Sequence, residues 1–194
     1  KTGAPSWMPT GLDDLDRLIG TSLRGGKQTV IAARPAMGKS ALGQQMCMGF
    51  ARANYGVGFF SLEMCAADIV HRGWAMTSGV NLDRFQRGNP SREEQEQIED
   101  AMAEWMGLPL HISDSSTQTM SSIRSQTRRL QMSMARKGVK LGAICVDYLG
   151  LMGIEGGNTR SEAIGEISRG LKRLARELDI ATIILSQLNR KVEE

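Results

Sequence analysis

The sequence predicts an α/β fold in which a mainly parallel, twisted sheet carries helices on both faces. Short apolar, β-branched runs alternate along the chain with longer segments of helical period. The run at residues 143–147 is almost wholly apolar, as expected of a strand that is buried on both faces of a parallel sheet. Strands joined by helices imply right-handed crossovers, and ligands then bind at the carboxyl ends of the strands.

The apolar runs predict five strands. They cover residues 29–33, 57–61, 110–113, 143–147 and 180–186. Helices are predicted between them at residues 38–53, 65–78, 91–106 and 119–137. Ser91 and Glu94 have the spacing of a capping box at the start of the third helix.

A last helix is predicted before the fifth strand, with a cap formed by Thr159 and Glu162. Its apolar residues recur at helical spacing and are Ile164, Ile167, Leu171, Leu174 and Leu178. We expect the tips at residues 114–118 and 153–158 to be the loosest segments of the chain.

Composition describes an ordinary globular domain. The 194 residues suffice for one domain with a sizeable core, and the net charge of +3 permits nucleic-acid contact without arguing for it. Cys47, Cys65 and Cys145 show no metal-ligand spacing, so we expect buried thiols in a reducing compartment. No run is long enough to span a membrane and no signal-peptide core is present, which favours a cytoplasmic location.

The segment ARPAMGKS, residues 33–40, follows the first predicted strand and precedes a helix. A phosphate-binding loop has this context, because its backbone N–H groups and the helix N-terminus together favour an anion. The predicted nucleotide-binding residues are Ala33, Arg34, Pro35, Ala36, Met37, Gly38, Lys39 and Ser40. Lys39 would contact the β- and γ-phosphates and the Ser40 hydroxyl would ligate Mg²⁺. The competing interpretation is a surface turn with a solvated lysine, and Ala33 in place of the first glycine favours it.

Three more polar residues follow predicted strands. Asp147 ends the fourth strand, Glu63 lies just past the second, and Gln187 follows the fifth. Each taken singly fits a solvated loop residue or a helix cap. Together with the loop they predict an ATP-hydrolysing site in which Asp147 holds Mg²⁺ through water, Glu63 orients the attacking water, and Gln187 senses the γ-phosphate.

With these residues the chain resembles the ATPase domain of DnaB-type replicative DNA helicases, members of the RecA-like superfamily 4. Six ordered segments carry the resemblance: PTGLDDLD at 9–16, ARPAMGKS at 33–40, FSLEM at 60–64, DYLGLM at 147–152, EISRGLK at 166–172 and LSQLNR at 185–190. Alanine is a familiar alternative to the first loop glycine in that family. Gly150 departs from the family, which usually has glutamine there.

The resemblance implies a RecA-like P-loop NTPase core over residues 1–194, cut at both ends, with residues 1–10 as the remnant of a linker. It implies ATP and Mg²⁺ as ligands, a ring of six subunits, and single-stranded DNA in the channel. Primase and a helicase loader are further partners of such helicases. The arginine finger and the main DNA-binding loop would lie beyond residue 194. A RecA-like strand-exchange ATPase and a nucleotide-dependent loader or scaffold with little turnover are the alternatives.

Two basic features each allow two interpretations. The segment 153–160 is either a channel loop with Arg160 on DNA phosphate or a surface tip. For the basic side of the helix at 119–137, we expect a solvated face or a subunit contact rather than nucleic-acid binding. Its members are Arg124, Arg128, Arg129, Arg136 and Lys137.

Overall fold

A computed structural model describes residues 7–81, 83–84, 87–147 and 160–188. The predictions for Gly150, for residues 153–158 and for the cap at Thr159 lie outside these residues, as does the side chain of Arg160.

The described residues contain a five-stranded parallel sheet with the order β1-β5-β4-β2-β3. The strands are β1 Gln28–Ala33, β2 Gly56–Ser61, β3 Leu110–Ser113, β4 Leu141–Asp147 and β5 Ala181–Gln187. All five predicted strands are confirmed to within two residues. Every residue of β4 is buried, as its apolar run predicted.

Helices pack around the sheet and connect its strands. The α-helices are α1 Asp13–Ile19, α2 Lys39–Arg52, α3 Ala66–Ser78, α4 Arg92–Gly107, α5 Met120–Arg136 and α6 Arg160–Leu178. None of the described helices is both long and apolar enough to cross a membrane. The capping box at α4 is confirmed, because the Ser91 N–H donates to Glu94 and the Glu94 N–H donates to the Ser91 hydroxyl.

Two apolar cores, one on each face of the sheet, confirm that helices cover both sides. One core combines Met46 and Phe50 of α2 with Ile69 of α3. The other combines Ile123 of α5 with Leu171 and Leu174 of α6. The parallel strands are thereby held with their carboxyl ends at one shared edge, and that edge is where the predicted site residues lie.

The structure differs from the sequence predictions at three places. A helix at Asp13–Ile19 was not predicted, and Met8 and Thr10 in the segment before it are buried. Cys65 is exposed rather than buried, because it sits at the N-cap of α3. In the loop at 114–118, which was predicted to be loose, residues 114–117 are exposed, whereas Gln118 is only 1% exposed and hydrogen-bonded at both ends of its amide.

Candidate nucleotide-binding site

The loop between β1 and α2 has the backbone geometry of an anion nest. Ala36 and Gly38 both have positive φ angles, of 61° and 78°. A left-handed residue inside a short loop turns neighbouring N–H groups toward a common centre. At Gly38 a Cβ would meet no atom within 4 Å, so the backbone angle, not lack of space, favours glycine. Lys39 and Ser40 then begin α2, and the positive end of the helix adds to the nest.

A cleft of about 560 Å³ opens beside this loop. Its lining includes residues 34–41 together with Glu63 and Gln187. The structure thus brings the predicted loop, the predicted base and the predicted γ-phosphate sensor to one cavity. The volume lies in the range of small-molecule sites, so it accommodates a ligand of nucleotide size.

Strand register explains why residues so far apart in sequence meet here. Ala33 at the end of β1 lies opposite Gln187 of β5, and Leu185 of β5 lies opposite Asp147 of β4. Asp147 in turn lies opposite Ser61, two residues before Glu63. The four strand ends therefore form one continuous edge from the phosphate loop to Glu63.

Asp147 does not line the cleft directly but lies beneath it. Its side chain is 1% exposed and accepts a hydrogen bond from the Lys39 ammonium, with Nζ to Oδ1 at 3.1 Å. In the strand order β5 lies between β1 and β4, so Asp147 is one strand further from the loop and Lys39 spans the gap. A buried ion pair is costly to desolvate and is weak evidence for stability, so a functional role is the better reason for its presence.

Below this pair the sheet is apolar and chemically inert. Burial raises the pKa of the Cys145 thiol well above its ordinary value, and a hydrogen bond with Cys47 raises it further. Both thiols are fully buried, and the raised pKa keeps the Cys145 thiol protonated near neutral pH. The charge at the floor of the cleft therefore comes from Lys39 and Asp147.

A family model described as the DnaB-like helicase C terminal domain matches residues 7–194. The chain belongs to this family. The match includes every described site residue, from the phosphate loop through Gln187. It agrees with the fold, since the parallel sheet and the loop that follows its first strand are those of a RecA-like ATPase domain.

Curated relatives agree with this membership. A probable plasmid replicative DNA helicase of Chlamydia trachomatis is 39% identical over 96% of this chain and 40% of its own length. The replicative DNA helicase DnaB of Geobacillus stearothermophilus is 34% identical over 100% of this chain and 42% of its own length. The chain thus spans about two fifths of these relatives.

Two solved structures superpose closely on this DnaB-like domain. One is described as a DnaB-like replicative helicase and its interactions with primase, with a TM-score of 0.86 at 31% identity over 96% of this chain and 44% of that one. The other is described as an ATPase domain and gives a TM-score of 0.85 at 31% identity over 96% of this chain and 65% of that one.

The structure adds Arg72 and Met64 to the residues that sequence reasoning placed at the site. Both line the cleft of the DnaB-like domain, Met64 from the turn after β2 and Arg72 from α3. No sequence motif marked Arg72, because its approach to the loop depends on the tertiary placement of α3. Arg72 brings a third cation to a cavity whose lining already includes Arg34 and Lys39.

The basic side of α5 has a structural partner in this domain. The Arg128 guanidinium pairs with Glu177 of α6, and its hydrogen bond holds the pKa of that carboxyl below its usual value. This pair is consistent with the expected solvated face and gives no support to nucleic-acid binding there.

Proposed function

We propose that this chain is the motor domain of a replicative DNA helicase, which couples ATP hydrolysis to translocation on single-stranded DNA and to duplex unwinding. The observation that carries the proposal is the paired Lys39 and Asp147 at the floor of a cleft whose walls include a phosphate loop, Glu63 and Gln187. A cleft that binds no ligand would not require a buried ion pair together with two further polar side chains at adjoining strand ends.

The place of each residue supports the role that we propose for it. The backbone N–H groups of residues 34–40 and the N-terminus of α2 bind the phosphates, and Lys39 exchanges Asp147 for phosphate oxygens. Glu63, exposed at the wall, accepts the hydrogen bond of the attacking water and orients it. Arg72 adds positive charge where negative charge develops. Gln187 ends the strand beside the loop, so a change in its contact moves the end of β5.

The donor set fits Mg²⁺. Asp147 is a buried carboxylate whose observed partner is a cation, and Ser40 places a hydroxyl at the start of α2. When bound with the nucleotide, Mg²⁺ would neutralise phosphate charge, with the Ser40 hydroxyl as a ligand and Asp147 holding a coordinated water.

The names of the relatives support a proposal about the partners. The relatives are named replicative helicases, and one superposed structure is described by its interactions with primase. We infer that the complete protein forms a ring of six subunits around single-stranded DNA and contacts primase and a loader. A neighbouring subunit would then supply the arginine that completes each site.

Steady-state kinetics and unwinding of a forked DNA by the complete protein test this proposal. We expect Mg²⁺-dependent ATP hydrolysis that single-stranded DNA stimulates, and strand separation that stops when ATP is replaced by a non-hydrolysable analogue. A strand-exchange ATPase would form joint molecules between homologous DNAs without unwinding the fork. A loader or scaffold would bind ATP with negligible turnover. Either of these results would overturn the assignment.

A further inference from the structure

The Glu63 side chain is exposed, so its own packing does not set its position. It sits on the short turn between β2 and α3. Orientation of an attacking water requires its base to be placed within a fraction of an ångström, and a 1 Å misplacement costs roughly a hundredfold in rate. The position of Glu63 therefore depends on what fixes the turn.

Ser61, the last residue of β2, closes the turn from beneath. Its side chain is fully buried, and its hydroxyl donates to the Met64 carbonyl at 2.7 Å and accepts from the Met64 N–H at 3.1 Å. These two bonds enclose Leu62 and Glu63 in a small ring. The Leu62 N–H donates to the backbone carbonyl of Asp147 at 2.7 Å, which ties the ring to the end of β4.

Asp114 fixes the other end of the turn, where α3 begins. Cys65, the N-cap residue of α3, makes no capping hydrogen bond with its own side chain. The Ala66 N–H instead donates to Asp114 Oδ2 at 2.8 Å. Asp114 directly follows β3, so an acid from a different strand caps the helix that carries Arg72 and adds the negative charge that a helix N-terminus favours.

The loop that supplies Asp114 is itself braced. The amide of Gln118 is buried and bridges the hydroxyls of Ser113 and Ser122. Gln126 of α5 accepts from Ser113 and donates to Gln118. Such a closed ring of side-chain hydrogen bonds holds both ends of the loop, so Asp114 is presented in a fixed place.

We propose that Ser61 and Asp114 are positioning residues for Glu63, and that the outer strand β3 takes part in ATP hydrolysis through Asp114. The inference rests on the proposed function, in which Glu63 orients the attacking water. Neither residue is among those that line the cleft, so neither is expected to contact the nucleotide. Their removal lowers the turnover number and leaves nucleotide affinity in place.

Ser61→Ala in the complete protein tests whether Ser61 positions Glu63. We expect kcat for ATP to fall about tenfold, because the hydrogen-bonded turn around Glu63 loses its two bonds to Ser61. The Kd of a fluorescent non-hydrolysable analogue should stay within about twofold, because the phosphate loop is unchanged. Ser78→Ala is the matched control. It removes another hydroxyl that accepts a backbone N–H, from Val80 at the far end of α3, and it should leave kcat unchanged. Equal losses of kcat in the two variants, or a weakened Kd in Ser61→Ala, would overturn the proposal.

Two substitutions, Asp114→Ala and Asp114→Asn, test whether Asp114 positions Glu63. The asparagine side chain keeps an oxygen that accepts from the Ala66 N–H, whereas alanine removes it. We expect Asp114→Ala to lower kcat several-fold with unchanged affinity, and Asp114→Asn to retain most of the wild-type rate. Wild-type kcat in Asp114→Ala, or equal losses in both variants, would contradict a positioning role.

A double variant separates failure of this inference from failure of the proposed function. In a Glu63→Gln background, Ser61→Ala should not lower the residual turnover further, because no base remains to be positioned. Additive losses of turnover from the two substitutions would contradict this inference and leave the proposed function in place. Full turnover in Glu63→Gln itself would instead contradict the proposed role of Glu63, on which this inference rests, while the assignment of the domain as an ATPase would remain.

Discussion

The helix that begins at the phosphate loop and the turn that carries Glu63 both border the cleft, and different forces fix them. Helix α2 is held by close packing. A Cβ on Gly43 would lie 2.7 Å from a methyl of Leu185, and one on Gly49 would lie 2.0 Å from the backbone oxygen of Thr10. The Glu63 turn is held by hydrogen bonds that Ser61 and Asp114 accept from the Met64 and Ala66 N–H groups.

This difference sets how each wall responds to substitution. Close packing tolerates little added volume, and least at Gly49, where the neighbour is a backbone atom that cannot rotate away as the Leu185 side chain beside Gly43 can. A hydrogen-bonded turn tolerates changes of volume at its exposed residues but not the loss of a donor or acceptor. We therefore expect volume changes to act on the phosphate-loop side through stability, and polar changes to act on the Glu63 side through turnover.

Gly49→Ala should have the largest effect on stability. The added methyl meets the Thr10 carbonyl, and Thr10 is itself fixed because its N–H and hydroxyl donate to Asp16. We expect a loss of about 3 kcal/mol or more in the free energy of unfolding. Gly107→Ala is the control, because a Cβ there meets no atom within 4 Å and alanine favours helix. Denaturant melts that rank the two variants equally would refute the packing account.

Lys39→Ala should abolish tight nucleotide binding. It removes the cation at the floor of the cleft, so we expect at least a hundredfold weaker Kd, or about 2.7 kcal/mol. Arg34→Ala is the comparison, since Arg34 is an exposed cation of the same loop whose expected contribution is through its backbone. Calorimetry with Mg-ATP measures both. Retained affinity in Lys39→Ala would show that the loop is not a phosphate site.

Arg72→Ala should lower turnover more than it weakens binding, as expected for a residue on the side of the cleft that carries Glu63. Losing one charge-stabilising group costs about a hundredfold in kcat in comparable sites. Arg72→Lys keeps the charge but loses the planar fork, so we expect an intermediate rate. Rapid-quench measurement of the hydrolysis step distinguishes this from slow product release. An unchanged rate for Arg72→Ala would place its side chain outside the reaction.

The smallest effect is expected far from the cleft, at the pair between Arg128 and Glu177. The lowered pKa of Glu177 means that the pair stabilises the fold at pH values above the ordinary pKa of glutamate, and that this contribution is lost as pH falls through the lowered pKa. Because both side chains are partly exposed, Glu177→Gln should change the Tm at neutral pH by no more than the error of a thermal melt. A large fall in Tm would show that the α5–α6 contact depends on charge.

The fold and the loop were predictable because their signals are local. Apolar runs predicted all five strands, and Asp147 could be placed at a strand end by counting along its run. The approach of Lys39 to Asp147 across an intervening strand was not predictable, since it depends on the strand order.

The supports of Glu63 were missed for the same reason. Asp114 caps α3 although 48 residues separate it from Ala66 in sequence. Its loop looked loose because its residues are polar, and only the side-chain hydrogen bonds of Gln118 with Ser113 and Gln126 show that both ends are held. Cys65 was expected to be buried from its residue type, whereas its position at a helix start exposes it. Sequence patterns identify the chemical groups at this site, while long-range contacts determine the positions of these groups in the fold.

Glu63→Gln in the complete protein, measured for both ATP affinity and steady-state turnover on single-stranded DNA, tests the central claim most directly. Glutamine has nearly the same shape but is a poor proton acceptor, so binding should stay within about twofold while turnover falls at least about a hundredfold. Turnover at the wild-type rate would contradict the claim that Glu63 orients the attacking water.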